Sequence, residues 1–182
     1  MTSSRFLLAL AASAALTLGL SACSTTTAEP DETTASSSAA FVDGACADDE
    51  GVSVIVDAGN LAGADEANLS VCVFADATLA AAQALEVVGI TVEGTEEYGD
   101  QVVCRVDGLP SATDPVGSTE DPAYVESCES MPAAFAYWSL WVKPSAGEWD
   151  YAQEGLSTLT LEPGESLELL FTLDGEPAAP AA

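Results

Sequence analysis

The sequence contains no histidine, and three basic side chains stand against 30 acidic ones, for a formal net charge of −27. Without an imidazole there is no histidine-based triad, no HExxH zinc site and no histidine proton shuttle. A surface this acidic repels nucleic acid and anionic headgroups, so nucleic acid is not an expected partner. P-loop, dinucleotide-fingerprint and GxSxG patterns are also missing. No CxxC spacing occurs among the cysteines, which argues against zinc and thioredoxin-like chemistry. Lys143, the only lysine, adjoins Pro144 at an expected strand end, a poor setting for a buried Ser–Lys dyad. Acidic runs such as Asp48-Asp49-Glu50 and Glu96-Glu97 are plentiful, but no EF-hand spacing organises them, so they read as solvated surface. The chain is therefore expected to be a non-enzyme with no resident cofactor and no metal.

What is present begins with the one long apolar run, Phe6 to Leu20, which follows Arg5, the only charged residue before Cys23. It is too short to span a ~30 Å hydrocarbon core as a helix and has the length of a signal-peptide h-region. Leu20-Ser21-Ala22-Cys23 resembles the lipobox of bacterial lipoproteins. That resemblance implies cleavage before Cys23, a diacylglyceryl group on its sulfur, and a protein held at the extracytoplasmic face of the cell membrane. Two acyl chains supply the stable anchoring that one alone does not.

Four cysteines remain, Cys46, Cys72, Cys104 and Cys128, and in an exported chain an even number implies disulfides. Three connectivities are open. Proximity along the chain favours Cys46 with Cys72 and Cys104 with Cys128, each loop of about 25 residues being worth roughly 3 kcal/mol.

The chain divides into a signal peptide (1–22), a Ser/Thr/Ala/acidic tether (23–50), one domain (51–173) and a flexible Pro/Ala tail (174–182). The tether has too little apolar mass to fold. Within the domain, Val52 to Val56 alternates and is β-branched, and Leu69 to Phe74, Ile90 to Glu93 and Gln101 to Val106 also read as strands. Asp76 to Val88 reads as the helix, capped by Asp76, stopped by Gly89, with Leu79, Ala82, Leu85 and Val88 as its core stripe. Residues 111–134 form a long loop with Pro115, Pro122 and Pro132, of a length that is usually functional or disordered. A strand from Phe135 to Lys143 follows, then one around Trp149 to Tyr151. Last comes a hairpin, Leu156–Leu161 and Ser166–Leu173, turning at Glu162-Pro163-Gly164-Glu165. In its second strand Leu167, Leu169, Phe171 and Leu173 share one face, and Ser166, Glu168 and Thr172 the other. Mostly strands with one early helix predicts an α+β fold, a mixed and mainly antiparallel sheet with the helix across one face.

The aromatic residues cluster at Tyr137, Trp138, Trp141, Trp149 and Tyr151. Along one strand Trp138, Leu140 and Val142 point one way and read as core. Tyr137, Ser139, Trp141 and Lys143 point the other way and form a mixed face. Tyr and Trp offer rigid area with a polar tip, which suits a ligand or partner face. Tyr137, Trp141, Trp149 and Tyr151 are therefore the candidate binding residues. The alternative is that the mixed face packs beneath the 111–134 loop.

Val102-Val103-Cys104-Arg105-Val106-Asp107-Gly108-Leu109-Pro110, Cys128, Tyr137-Trp138-Ser139-Leu140-Trp141, Gly147-Glu148-Trp149-Asp150-Tyr151 and Gly155 together resemble a small bacterial domain family of unknown function. That family is similar to the C-terminal β-domain of transcobalamin and intrinsic factor. Val54-Ile55-Val56-Asp57 and the helix before Gly89 fit its start, so the resemblance covers most of residues 52–173. It implies a β-grasp-like fold, an extracytoplasmic setting and pairing of Cys104 with Cys128. It also makes cobalamin a candidate ligand, although no histidine is available to coordinate cobalt.

The expected function is an anchored, non-catalytic binding module using the Tyr137/Trp141 face and the 111–134 loop. Its ligand would be a corrinoid-like small molecule taken up with a neighbouring importer, or an envelope protein. Alternatives are a structural envelope lipoprotein or an exported protease inhibitor with 111–134 as its reactive loop.

Overall fold

The computed structural model describes residues 40–181. The signal stretch, Cys23 and the tether up to residue 39 lie outside the described residues.

Phe41–Asp43 forms β1 and Gly51–Asp57 forms β2. A single turn of helix, α1 (Ala64–Ala67), leads into β3 (Leu69–Phe74). The two-residue β4 (Leu79–Ala80) runs straight into α2 (Ala81–Val88). Then come β5 (Val92–Thr95), β6 (Gly99–Val106), β7 (Ala136–Lys143), β8 (Asp150–Tyr151), β9 (Thr160–Leu161) and β10 (Ser166–Leu173).

Six strands make the main sheet, in the order β1-β3-β2-β10-β7-β8. The first long strand, β2, lies parallel to the last, β10, at the centre, and every other neighbour pair is antiparallel. An N-terminal hairpin, a helix, and a final strand returning beside the first make this an α+β, β-grasp-like sheet. β4 pairs with β9 and β5 with β6 in two small ribbons.

The alternation in β2 sorts the two faces. Val52, Val54 and Val56 join Val71 and Val73 of β3, Leu167, Leu169, Phe171 and Leu173 of β10, and Trp138 of β7 in the inner core. The buried residues of α2, Ala81, Ala84 and Leu85, close that core. Trp138 is core as expected: its ring meets Phe171 edge-on at 5.2 Å, and its Nε1 donates to Leu109 O at 2.9 Å.

The cysteines pair as sequence proximity suggests. Cys46–Cys72 and Cys104–Cys128 have Cα–Cα separations of 4.6 and 5.6 Å, within the usual disulfide range.

Four expectations require correction. The folded chain starts before residue 51, because β1 pairs with β3 and Phe41 packs on the core. The helix begins at Ala81, not Asp76. Leu79-Ala80 is taken up by pairing with β9, and Ala81 N donates to Leu159 O, so no side-chain cap is used. This turns the stripe by one residue, and Ala82 is exposed. Gly89 does stop the helix, in the left-handed conformation at φ 80°.

The third correction is the hairpin. The turn at 162–165 exists, with Glu165 N donating to Glu162 O at 3.0 Å. Its two arms do not pair with each other, however. β9 goes to β4, and β10 enters the main sheet between β2 and β7. Fourth, residues 174–181 are held against the domain. Leu173 N donates to Glu176 O at 3.0 Å, and Asp174 accepts from Ser118 Oγ and from Thr119 N and Oγ1.

The 111–134 loop lacks regular structure but is tightly tied. Arg105, 6% exposed, donates from Nε to Pro110 O, from Nη1 to Glu93 and from Nη2 to Glu126 O. Glu126, also buried, accepts from Tyr124 Oη and from Cys128 N, both at 2.7 Å. Burial and that carboxylate push the Tyr124 phenol up to about 12. Val116 and Tyr124 join the inner core, so this part of the loop packs with Trp138, while Met131 is exposed.

Candidate functional site

The outer sheet face is built from the alternate residues of the same strands. β7 contributes Tyr137, Ser139, Trp141 and Lys143. Opposite them on β10 stand Thr172, Leu170, Glu168 and Ser166. β2 adds Ser53, Ile55 and Asp57, and β8 adds Tyr151 opposite Trp141.

All four aromatic residues nominated from sequence meet here. Trp141 and Tyr151 stack with centroids 3.9 Å apart and planes 28° apart. The orientation of Trp141 is fixed by a relay in which its Nε1 donates to Ser139 Oγ at 2.9 Å, and Ser139 Oγ donates to Leu170 O at 3.1 Å. Burial, then the neighbouring Tyr137 phenol, raise the pKa of Tyr151. Trp149 carries the Lys143 ammonium 5.8 Å from its ring centroid, a cation–π contact. Trp141 was expected to be partly exposed and is in fact buried, at 7%. Tyr151 is the exposed member, at 47%. It also lines both open grooves that flank β8, of about 410 and 380 Å³.

The sequence reading missed Glu168. It stands opposite Trp141 on one side and Ile55 on the other, at the centre of the sheet. It is 4% exposed, and no fully buried side-chain oxygen among the described residues is left without a hydrogen-bond partner. Burial, then the charge of Asp57, push its pKa up to about 7. The available signal was Leu170. An apolar residue among the outward positions of β10 breaks the in/out alternation, and a strand apolar on both sides is buried on both faces. A carboxylate on such a strand is buried with it.

Two other clusters carry no such chemistry. Glu93, Cys104 and Cys128 lie within 4.8 Å of one another. The two sulfurs are bonded to each other and Glu93 is paired with Arg105 at 2.8 Å, so this is a disulfide beside an ion pair. A groove of about 330 Å³ between α2 and Leu156 is lined by Leu85, Ile90 and Val92, with Glu86 and Asp100 as its charged groups.

The outer face offers rigid stacked rings and a carboxylate. These groups bind and orient, and the acid favours a positive charge. Comparison with family models, curated proteins and solved structures finds no match for this chain.

Proposed function

We infer that this chain is an anchored extracytoplasmic lipoprotein whose domain is a non-catalytic binding module, with the outer sheet face as its site. The observation that carries the reading is the gathering of Tyr137, Trp141, Trp149 and Tyr151 on one face around Glu168. Rings held by backbone pairing lose little freedom on binding, so more of their contact energy remains as affinity. The lipobox resemblance at Cys23 supports the anchor, and the motif resemblance makes cobalamin the first ligand to test. From the 111–134 loop, Val116 and Tyr124 pack on the inner core, while the exposed Met131 lines one of the grooves beside Tyr151.

Tryptophan fluorescence tests the reading. Cobalamin, or a component of an envelope extract, should change the emission of the wild-type protein in a saturable way. Tyr151→Ala and Trp149→Ala should abolish the response without loss of fold. Emission that is flat across corrinoids and extracts would remove the reading. A stoichiometric protein partner on cross-linking in cells would favour an envelope-interaction role over small-molecule capture.

A further inference from the structure

The segment that follows β10 returns over the face that β10 has just built. It turns at Asp174-Gly175 and is tied at two points. Thr172 Oγ1 donates to Pro177 O at 2.9 Å, and Trp149 Nε1 donates to Ala181 O at 3.2 Å. Thr172 and Trp149 belong to opposite ends of the outer face, since Thr172 pairs with Tyr137 and Trp149 carries Lys143. Between the ties, Pro177 and Pro180 are half-buried while Ala178, Ala179 and Ala181 are exposed. An inward residue every third position is the period of a polyproline II helix. Aromatic-lined surfaces recognise such segments, because their backbone is already extended and little entropy is lost on docking.

This internal occupant brings no positive charge to Glu168. Glu168 is 4% exposed, no fully buried side-chain oxygen among the described residues lacks a partner, and Asp57 beside it adds like charge. Residues 174–181 bring only acids, Asp174 and Glu176. Of the two basic side chains beyond Cys23, Arg105 is committed to the loop and Lys143 to Trp149. A buried carboxylate gains most from a cation that can hydrogen-bond to it.

We propose that the outer face is a groove for an extended, proline-containing peptide bearing a positive charge, and that residues 177–181 occupy it as a weaker internal competitor. This rests on the binding-module reading and names the class of partner. The exposed Tyr151, held by its stack on Trp141, and the Trp149 indole receive the proline backbone, and Glu168 with Asp57 receives the cation. The net charge of −27 raises the local concentration of such a peptide.

The test uses the full chain and two synthetic peptides. Both have prolines three residues apart, and one carries an arginine where the other carries norleucine. In the wild type the arginine peptide should shift the indole N–H resonance of Trp149 saturably and bind about ten-fold more tightly than the norleucine peptide. Glu168→Gln should close that gap. Pro177→Gly with Pro180→Gly, which loosens the internal segment, should tighten binding of the arginine peptide by about ten-fold. The wild-type resonance gives an answer even if the double variant folds poorly. An unmoved Trp149 resonance at saturating arginine peptide overturns the proposal, and so does equal affinity for the two peptides. A cobalamin response at Trp149 without peptide binding would overturn this inference and leave the binding-module reading standing.

Discussion

At the scale of single residues, two buried charges behave in opposite ways. Arg105 is fully answered, by Pro110 O, Glu126 O and the Glu93 carboxylate. Its planar fork reaches several acceptors at once, which a lysine ammonium on a single stem does not reproduce. Arg105→Lys should therefore cost about 2–4 kcal/mol, read as a lower urea midpoint at unchanged m-value. A midpoint within error of the wild type would show the fork to be dispensable.

Glu168 faces the like charge of Asp57 instead, and its pKa of about 7 sets a pH window. Below about pH 4.5 it is protonated in both states. Between that value and about 7 the unfolded chain releases the proton first, so stability falls as pH rises. At about 1.4 kcal/mol per pH unit the total is about 3 kcal/mol. Glu168→Gln should therefore match the wild type near pH 4 and exceed it by about 2–3 kcal/mol at pH 8, in urea unfolding across that range. A difference independent of pH would contradict the assignment. Alternation alone assigned Glu168 to an outward face, and only Leu170 beside it signalled that this face is buried too. The burial of that face depends on partners that the alternation does not report.

At the scale of elements, local patterns identified what each stretch becomes better than where it goes. β2, β3, β6 and β7 fall where β-branched alternation puts them, and Gly89 stops α2 as a left-handed cap. The errors share one cause, which is competition from distant chain. Leu79-Ala80 leaves the expected helix because β9 pairs with it. β10 leaves its expected hairpin because its seven consecutive buried residues gain more between β2 and β7 than at a ribbon edge. The disulfides were easier to read, since each joins cysteines only 26 and 24 residues apart. Cys104–Cys128 closes the base of the 111–134 loop beside Arg105. Cys104→Ser with Cys128→Ser should lower stability by about 3 kcal/mol. The same change should open residues 111–134 to limited proteolysis before the rest of the domain. Peptide mapping under non-reducing conditions should recover 46–72 and 104–128 links, and a Cys72–Cys104 peptide would refute the pairing.

At the scale of the whole molecule, the two sheet faces divide the work. The inner face carries the core, closed by α2 and by the apolar residues of the loop. The outer face carries the aromatic residues and Glu168, with residues 177–181 tied across it. Among the described residues no helix is long and apolar enough to cross a membrane. In the proposed lipoprotein, attachment would be through Cys23, eighteen residues before Phe41. At about 3.6 Å per residue that stretch reaches no more than about 65 Å, so an anchored domain would stay within that distance of the lipid surface. On such an anchor its acidity would repel anionic headgroups over about a Debye length, ~8 Å at physiological ionic strength, and so would hold the domain off the bilayer. Metabolic labelling with a palmitate analogue should mark the wild-type chain in cells, and Cys23→Ser should lose the label and shift from the membrane to the soluble fraction. Label retained in Cys23→Ser, or absent from the wild type, would remove the anchor and with it the surface-capture reading. The peptide groove on the outer face would then have to serve a freely diffusing protein.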